Sequence, residues 1–161
     1  MEAARLSTTG PRSRRDPSAL WLLGPHDVSV LHALDPSPVH TLSARSGPGG
    51  DPVVVTAELG SGLAFSATFS RTAPAKERTI RVIGTSATAV FDDVRAPDRL
   101  LVGGTEIPVP WREPLAAEIE HFLGCVETRA RPRTPLDDGV TVVRALALAE
   151  EQHEAAAVAG I

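Results

Sequence analysis

The chain has 161 residues, of which 42% are hydrophobic, and its formal net charge is −4 at pH 7. This length and composition predict one folded domain with a hydrophobic core and argue against a disordered chain. The acidic balance argues against binding to nucleic acid or to anionic membrane surfaces. The single cysteine, Cys125, excludes an internal disulfide and a cysteine-based zinc site.

The first eighteen residues predict a short strand at "EAARLS" followed by a polar loop. After this loop, Gly24 precedes Pro25, and proline is favoured at the first position of a helix. Val28, Leu31 and Leu34 then recur at helical spacing. We therefore expect a helix that starts near Pro25 and ends at the "DPSP" segment, because proline disfavours helical geometry in the residue before it.

Alternating stretches in the middle of the chain predict strands at "VHTLSARS", "PVVVTAEL", "LAFSATFS", "RTIRVIG", "ATAVFDDV", "RLLV" and "TEIPV". The glycine-containing segments Gly60-Ser61-Gly62 and Gly103-Gly104 are predicted hairpin turns between neighbouring strands. Within "LAFSATFS" one face is apolar and the other carries small, mostly polar side chains. This pattern is typical of an antiparallel sheet that is covered on one side.

The last third of the chain predicts two helices. Pro114 opens the first, and its apolar stripe, predicted to be buried, comprises Leu115, Ile119, Phe122, Leu123 and Val126. Cys125 is expected to be a small buried hydrophobe on the same helix. The segment Thr134–Asp137 resembles a capping box that opens the second helix. The predicted buried face of this last helix comprises Val140, Val143, Leu146 and Ala147.

These elements predict one domain over residues 1–161 of the α+β class, an open, mainly antiparallel β-sheet with helices packed on one face. Residues 1–18 are expected to be partly loop, and residues 153–161 to form a frayed tail. The uncovered face of the sheet predicts a homodimer formed through that face. No apolar stretch is long enough to span a membrane and none follows the N-terminus, so we expect a cytoplasmic protein.

Three segments occur in an order that resembles a known family: "LWLLGPHDVSVLHAL", "RTIRVIGTSATAVFDD" and "EPLAAEIEHFLGCVETRARPRTPLDDGVTVVRALALAEE". Together they resemble the C-terminal domain of the glucose–fructose oxidoreductase/inositol dehydrogenase/MocA family. The resemblance runs from about Arg5 to about Gln152. It implies a domain that shapes a sugar or polyol pocket and the oligomer interface. Arginine far outnumbers lysine, as in proteins from GC-rich bacterial genomes.

In this family a separate N-terminal Rossmann domain holds NAD(P), and the sequence contains no counterpart of it. No Gly-x-Gly-x-x-Gly follows a predicted first strand, and no predicted helix follows the glycines of residues 47–50. The segment "TAPAKE" does not reproduce the family's Glu-Lys-Pro catalytic stretch. The resemblance therefore implies a domain that stands alone with no intrinsic cofactor, and NAD(P) would bind only if a Rossmann-domain partner chain supplied it.

The candidate site follows from the family's Asp-x-Gly-x-His pattern, in which Gly24 and His26 match and Leu22 stands at the Asp position. General acid–base catalysis needs a titratable group at the reacting oxygen, and leucine cannot provide one. Asp27 matches an Asp that is common at the next position. His26 is thus the candidate catalytic residue, and the candidate substrate-binding residues are Arg14, Trp21, His26 and Asp27.

Each of these residues also has an ordinary structural interpretation. His26 can bond local backbone near a helix start, and Asp27 can be a first-turn carboxylate stabilised by the helix dipole. Trp21 can be a core residue, and Arg14 can belong to a solvated loop with Arg12 and Arg15. Asp92 with Asp93, and Glu118 with His121, lack further ligands of the kind that a metal site needs, so no metal site is predicted.

Three functional hypotheses stay open on the sequence alone. The first is a catalytically degenerate, oxidoreductase-like domain that binds a small, polar, sugar-like metabolite, with a non-redox step assisted by His26. The second is the accessory, substrate-binding subunit of a split NAD(P)-dependent sugar oxidoreductase, which should expose an apolar surface to its partner. The third is a structural dimerisation module without a ligand.

Overall fold

A computed structural model of the chain describes residues 3–9 and 18–158. In chain order its elements are β1 Ala3–Thr9, α1 Ala19–Leu34, β2 Val39–Ser46, β3 Val53–Leu59, β4 Ala64–Ser70, β5 Arg78–Ile83, β6 Thr88–Asp92, β7 Arg99–Val102, β8 Thr105–Pro108, α2 Pro114–Thr128 and α3 Leu136–Val158. The predicted strand near the N-terminus and all seven predicted strands in the middle of the chain are confirmed. The polar loop that contains Arg14 lies outside the described residues.

The strands form one eight-stranded sheet in the order β2-β3-β4-β1-β5-β6-β7-β8. β1 lies in the middle, where it pairs in parallel with β4 and in antiparallel fashion with β5. Every other pairing in the sheet is antiparallel. The predicted class, an α+β fold with an open, mainly antiparallel sheet, is therefore confirmed.

The hairpin predicted at Gly103-Gly104 shows why two glycines occupy that turn. Both residues have positive φ, 57° for Gly103 and 88° for Gly104. Two consecutive residues with positive φ define the turn that matches the twist of an antiparallel hairpin, and glycine adopts it without steric cost. This turn sets the register of β7 on β8, with Val102 opposite Thr105.

The core lies between the sheet and the two helices α1 and α3, which pack on each other and on neighbouring strands. On β4 the predicted apolar face is buried, with Phe65, Ala67 and Phe69 all at most 4% exposed. The opposite face of β4 is more exposed and carries Ala64, Ser66, Thr68 and Ser70. α1 and α3 therefore cover one face of the β2–β4 half, as expected for helices packed on one side.

The predicted start of the first helix is wrong, because α1 begins at Ala19 and contains Pro25 in its interior. Ser18 caps the helix, with its side-chain oxygen accepting a hydrogen bond from the Trp21 N–H at 3.4 Å. An interior proline costs roughly 3 kcal/mol. Full burial of one leucine contributes about 1.5–3 kcal/mol, and the turns before Pro25 bury both Leu20 and Leu23. Tertiary packing thus outweighs the local signal.

The predicted burial of the apolar stripe on α2 is also wrong. The five residues of the stripe are between 50% and 61% exposed: Leu115, Ile119, Phe122, Leu123 and Val126. Cys125, on another side of the helix, is buried as predicted. Within the described chain α2 has no extensive contact with any other helix or strand. The amphipathic pattern is real, but no described element covers its apolar side.

The buried face of α3 differs from the predicted one by a rotation of the helix. Val142, Leu146 and Ala149 are buried, whereas Val140 and Val143 are exposed. The helix has apolar residues on two sides, and only the side that meets α1 and β2 is covered. α3 continues to Val158, into the segment that was predicted to be a frayed tail.

Gly24 permits the close approach of α1 to α3, which a substitution tests. A Cβ added at Gly24 would lie 2.7 Å from Cδ2 of the buried Leu146, whereas a Cβ at Gly124 in α2 would meet nothing within 4 Å. We expect Gly24→Ala to lower the free energy of unfolding by about 1 kcal/mol, because overpacking costs about 1–3 kcal/mol and removal of a helical glycine returns about 0.5–1 kcal/mol. The matched control Gly124→Ala should raise it by about 0.5–1 kcal/mol. Urea denaturation measures both, and equal stabilisation by the two substitutions would contradict this packing.

Candidate functional site

His26 lies on the solvent-exposed side of α1. The other exposed positions of this helix are Leu22, Ser29, Ala33 and Leu34. Among the residues of α1, all of which the structure describes, His26 is thus the one titratable side chain on the exposed side. Its backbone carbonyl accepts a hydrogen bond from the Ser29 hydroxyl at 2.8 Å. The imidazole is therefore placed where a ligand on the outer side of α1 could reach it.

Leu22 stands one turn before His26 and shares its side of the helix, because residues four apart are neighbours on a helix surface. Its side chain is 38% exposed. A carboxylate at this position would sit next to the imidazole and could orient it. Leucine leaves that neighbouring position apolar, so His26 has no acid–base partner there.

Asp27 points the other way, into the core, and is 0% exposed. Its Oδ1 lies 3.8 Å from Nε of Arg78 on β5, and Nη1 of Arg78 lies 3.0 Å from Oδ2 of Asp93. Since α1 begins at Ala19, Asp27 is not in the first turn, and the first-turn interpretation is wrong. The carboxylate is held on the sheet side of α1, about 100° around the helix from His26.

The outcome differs for the other two predicted binding residues, Trp21 and Arg14. Trp21 is half-buried and packs against the hydrophobic core, which agrees with its ordinary structural interpretation. Arg14 lies outside the described residues, as do Arg12 and Arg15. The structure therefore brings His26 and Leu22 to one surface, directs Asp27 away from it, and leaves the arginine loop untested.

A cavity of about 380 Å³ lies between α1, α3 and the β2–β4 half of the sheet. Its walls are mostly apolar and include Leu20, Leu31, Leu42, Val55, Phe65 and Leu146. Its polar side chains include His32, Asp35 and Arg144. No single stretch of the sequence indicates this cavity, because its walls come from five separate elements, α1, β2, β3, β4 and α3. His26 does not border it, so the cavity and the exposed side of α1 are two separate candidate sites.

Hydrogen bonds lower the pKa of one carboxyl group at this cavity, that of Asp35. Asp35 accepts hydrogen bonds from the Ser61 hydroxyl at 2.6 Å and the Ser37 N–H at 2.9 Å. The bond from Ser61, followed by those from Ser37, holds the pKa of Asp35 below its ordinary value. Nε2 of His32 lies 3.6 Å from Oδ1 of Asp138 on α3. The rim of the cavity therefore carries a carboxylate that keeps its charge into acidic solution.

The glycines of residues 47–50 do not fit the pyrophosphate of a dinucleotide. They form a short turn between β2 and β3, in which the Gly47 N–H donates to the Pro52 carbonyl at 2.8 Å. β3 follows directly, so no helix N-terminus is present to bind phosphate there. Across residues 3–9 and 18–158 no group of three or more metal-ligating side chains occurs.

The two pairs that the sequence analysis set aside as metal ligands take part in hydrogen bonds. The Asp92 carboxylate accepts hydrogen bonds from the N–H groups of Val94 and Arg95. His121 accepts one at Nε2 from the Arg133 N–H at 3.0 Å.

In the part of the chain that is described, no helix is both long and apolar enough to cross a bilayer.

No family model matches the sequence, and no curated protein sequence matches it either. Solved structures do match. UDP-N-acetylglucosamine 3-dehydrogenase from Acidithiobacillus ferrooxidans is similar with a TM-score of 0.87 at 20% identity, over 96% of this chain and 54% of that chain. A 3-ketoreductase from Actinomadura kijaniata, solved with TDP-benzene and NADP, has a TM-score of 0.79 at 14% identity, over 94% and 52%.

Aldose–aldose oxidoreductase from Caulobacter crescentus, solved with glycerol, has a TM-score of 0.76 at 14% identity, over 96% of this chain and 54% of that chain. This chain therefore spans about half the length of the solved structures that it matches. At these identities the likeness shows the fold. The resemblance to oxidoreductases of the glucose–fructose oxidoreductase/inositol dehydrogenase/MocA type is confirmed at that level.

The Asp27–Arg78 contact can be tested by removing the cation. Arg78→Met keeps much of the side-chain volume but removes the guanidinium that lies beside Asp27 and pairs with Asp93, so the free energy of unfolding should fall by about 1.5–3 kcal/mol, the contribution of a hydrogen bond to a charged group. Arg99→Met is the matched control, because Arg99 pairs with Glu106 in solvent and an exposed pair contributes less than about 1 kcal/mol. Chemical denaturation measures both variants, and equal losses would refute the special role of Arg78.

Proposed function

We propose that this chain is the ligand-binding domain of an oxidoreductase-like protein and binds a small, polar, sugar-like metabolite beside His26. The observation that carries this proposal is the arrangement of α1, which exposes His26 together with Leu22 and buries Asp27. One polar, hydrogen-bonding group on an otherwise accessible helix surface can orient a hydroxyl-rich ligand. The same surface lacks the second titratable group that a paired acid–base mechanism uses.

The class of ligand is suggested by the proteins that share the fold. One of them is named for UDP-N-acetylglucosamine and another for aldoses. Both names denote sugars or sugar nucleotides, which carry several hydroxyl groups. A fold does not by itself fix a substrate, so the sugar-like ligand is argued jointly from these names and from the exposed imidazole.

His26 would supply proton transfer rather than hydride transfer. Imidazole exchanges a proton near neutral pH and can act as a general acid or base toward a ligand hydroxyl. Leu22 cannot hold the ring in one orientation, so a proton-transfer step at this site would be slow. The glycine turn between β2 and β3 does not fit a dinucleotide, which supports a domain with no intrinsic NAD(P) site.

A second candidate function is the substrate-binding part of a two-part NAD(P)-dependent sugar oxidoreductase. The observation that favours it is the coverage of the matched structures, of which this chain spans 52–54%. In that case another chain or domain would bring the cofactor to the outer side of α1. The two functions differ in one respect, because only the second requires His26 to lie near a nicotinamide ring in an assembly.

Binding to α1 can be followed by NMR with UDP-N-acetylglucosamine as the probe. We expect the changes in backbone amide chemical shift to be concentrated at residues 22–29. We also expect the His26→Asn variant to bind the probe about tenfold more weakly, which corresponds to the loss of one good hydrogen bond. His40→Asn is the matched control, since His40 is an exposed histidine on the edge strand β2. Unchanged affinity in His26→Asn, or shift changes confined to the cavity between α1 and α3, would contradict the proposed site.

A further inference from the structure

The cavity between α1, α3 and the β2–β4 half of the sheet plays no part in the function proposed at His26. Its volume is about 380 Å³ and most of its walls are apolar. Several wall residues are at most 4% exposed although they border the cavity: Leu20, Leu59, Phe65, Phe69 and Leu146. Concave, mostly apolar spaces with a few polar groups are the usual binding sites for small molecules.

The volume of the cavity sets the size of the apolar group that it can take. An apolar protein cavity of about 150 Å³ binds benzene. By the same ratio, a cavity of about 380 Å³ accommodates an apolar group of roughly 15 carbon atoms. A hydroxyl-rich sugar would leave its polar groups without partners against these walls. The ligand of this cavity therefore differs in class from the ligand proposed at His26.

The two helices that line the cavity run in opposite directions and in a fixed register. Gly24 of α1 lies against Leu146 of α3, and His32 of α1 lies against Asp138 of α3. Eight residues forward along α1 thus correspond to eight residues backward along α3. This register gives the position of every cavity residue of α3 relative to α1.

Two charged side chains at the cavity, Asp35 and Arg144, lie far apart along the helices. By the register, Arg144 is level with His26, nine residues before Asp35, and nine residues of helix span about 13 Å. The Asp35 carboxylate already accepts hydrogen bonds from Ser61 and Ser37. Within residues 3–9 and 18–158, no group forms a hydrogen bond or an ion pair with Arg144. The guanidinium is therefore available to an anionic group of a ligand.

Arg144 belongs to the side of α3 that forms one edge of the cavity. Thr141, Arg144, Ala145 and Leu148 share this side, since residues three and four apart are neighbours on a helix, and all four border the cavity. Ala145 is half-buried and the other three are exposed, whereas Leu146 on the adjoining side is buried. A chain-like ligand along this edge meets apolar walls inward and the guanidinium at the surface.

We propose that the cavity binds a linear, medium-chain carboxylate, with its alkyl chain between α1, α3 and the sheet and its carboxylate at the guanidinium of Arg144. Burial of the chain supplies most of the affinity, and the guanidinium binds the carboxylate through two parallel hydrogen bonds. The anionic head lies away from Asp35 because that residue is nine positions farther along α1. A cationic amphiphile of the same chain length lacks this pairing and binds more weakly.

Isothermal titration calorimetry on the full chain, with dodecanoate below its micelle-forming concentration, tests the ligand class. We expect Arg144→Gln to bind dodecanoate about tenfold more weakly, because a charge-assisted pair is lost. Arg112→Gln is the matched control and should bind normally, since Arg112 is an exposed arginine that pairs with Glu120 away from the cavity. The native chain should bind dodecyltrimethylammonium at least about tenfold more weakly than dodecanoate.

A larger side chain in the cavity wall tests the location without changing any charge. Ala145→Leu should weaken dodecanoate binding at least about tenfold, because the added atoms take space that the alkyl chain needs. Ala147→Leu is the matched control, since Ala147 lies on the same helix but does not border the cavity, and its affinity should be unchanged. Leucine is a good helix former, and circular dichroism verifies that both variants keep their helix content.

Weaker binding in Arg144→Gln and Ala145→Leu, with normal binding in both controls, would support the proposal. Three results would overturn it: no binding of dodecanoate to the native chain, equal affinity for dodecyltrimethylammonium, or an affinity that Ala145→Leu leaves unchanged. The last result would mean that the alkyl chain adsorbs elsewhere, for example on the exposed stripe of α2. Binding weakened by Ala145→Leu but not by Arg144→Gln would overturn the assignment of the carboxylate to the guanidinium.

Discussion

The packing of α1 against α3 and the sheet, through the buried side chains of Leu20, Leu23 and Leu31, sets the rotation of α1, and the character of the candidate site depends on that rotation. A carboxylate withdrawn from water is stable in a fold only when a cation or several donors accompany it. Arg78, on the strand next to β1 in the middle of the sheet, places a guanidinium beside Asp27, with its Nε 3.8 Å from Oδ1. The rotation of α1 turns Asp27 toward the sheet, Gly24 toward α3, and His26 with Leu22 toward solvent.

This rotation explains why adjacent residues of one short motif have opposite environments. His26 and Asp27 are neighbours in sequence, and together they suggest catalysis. On a helix they point about 100° apart, and the packing of the apolar side of α1 decides which of them faces the core. The site that results has one proton-exchanging group and an apolar neighbour. Such a surface suits recognition of a polar ligand better than paired acid–base catalysis.

The sheet was predictable from the sequence because its signals are local. Alternation within each strand and glycines such as Gly103 and Gly104 act over a few residues, and these strands and turns form as expected. The start of α1 depends instead on burial of Leu20 and Leu23, which requires the rest of the core. The stripe of α2 shows a third case, since a helical pattern identifies an apolar side but not the element that covers it. The cavity between α1 and α3 gave no signal, because no single segment contains it.

Covalent footprinting can show whether α1 presents His26 to solvent and withholds Asp27. The folded chain would be treated with diethyl pyrocarbonate for histidines and with a carbodiimide and an amine for carboxylates, and the modified residues would be located by mass spectrometry. We expect rapid modification of His26 and protection of Asp27, with the exposed Asp98 as the internal reference. Modification of Asp27 at the rate of Asp98, or protection of His26, would contradict it.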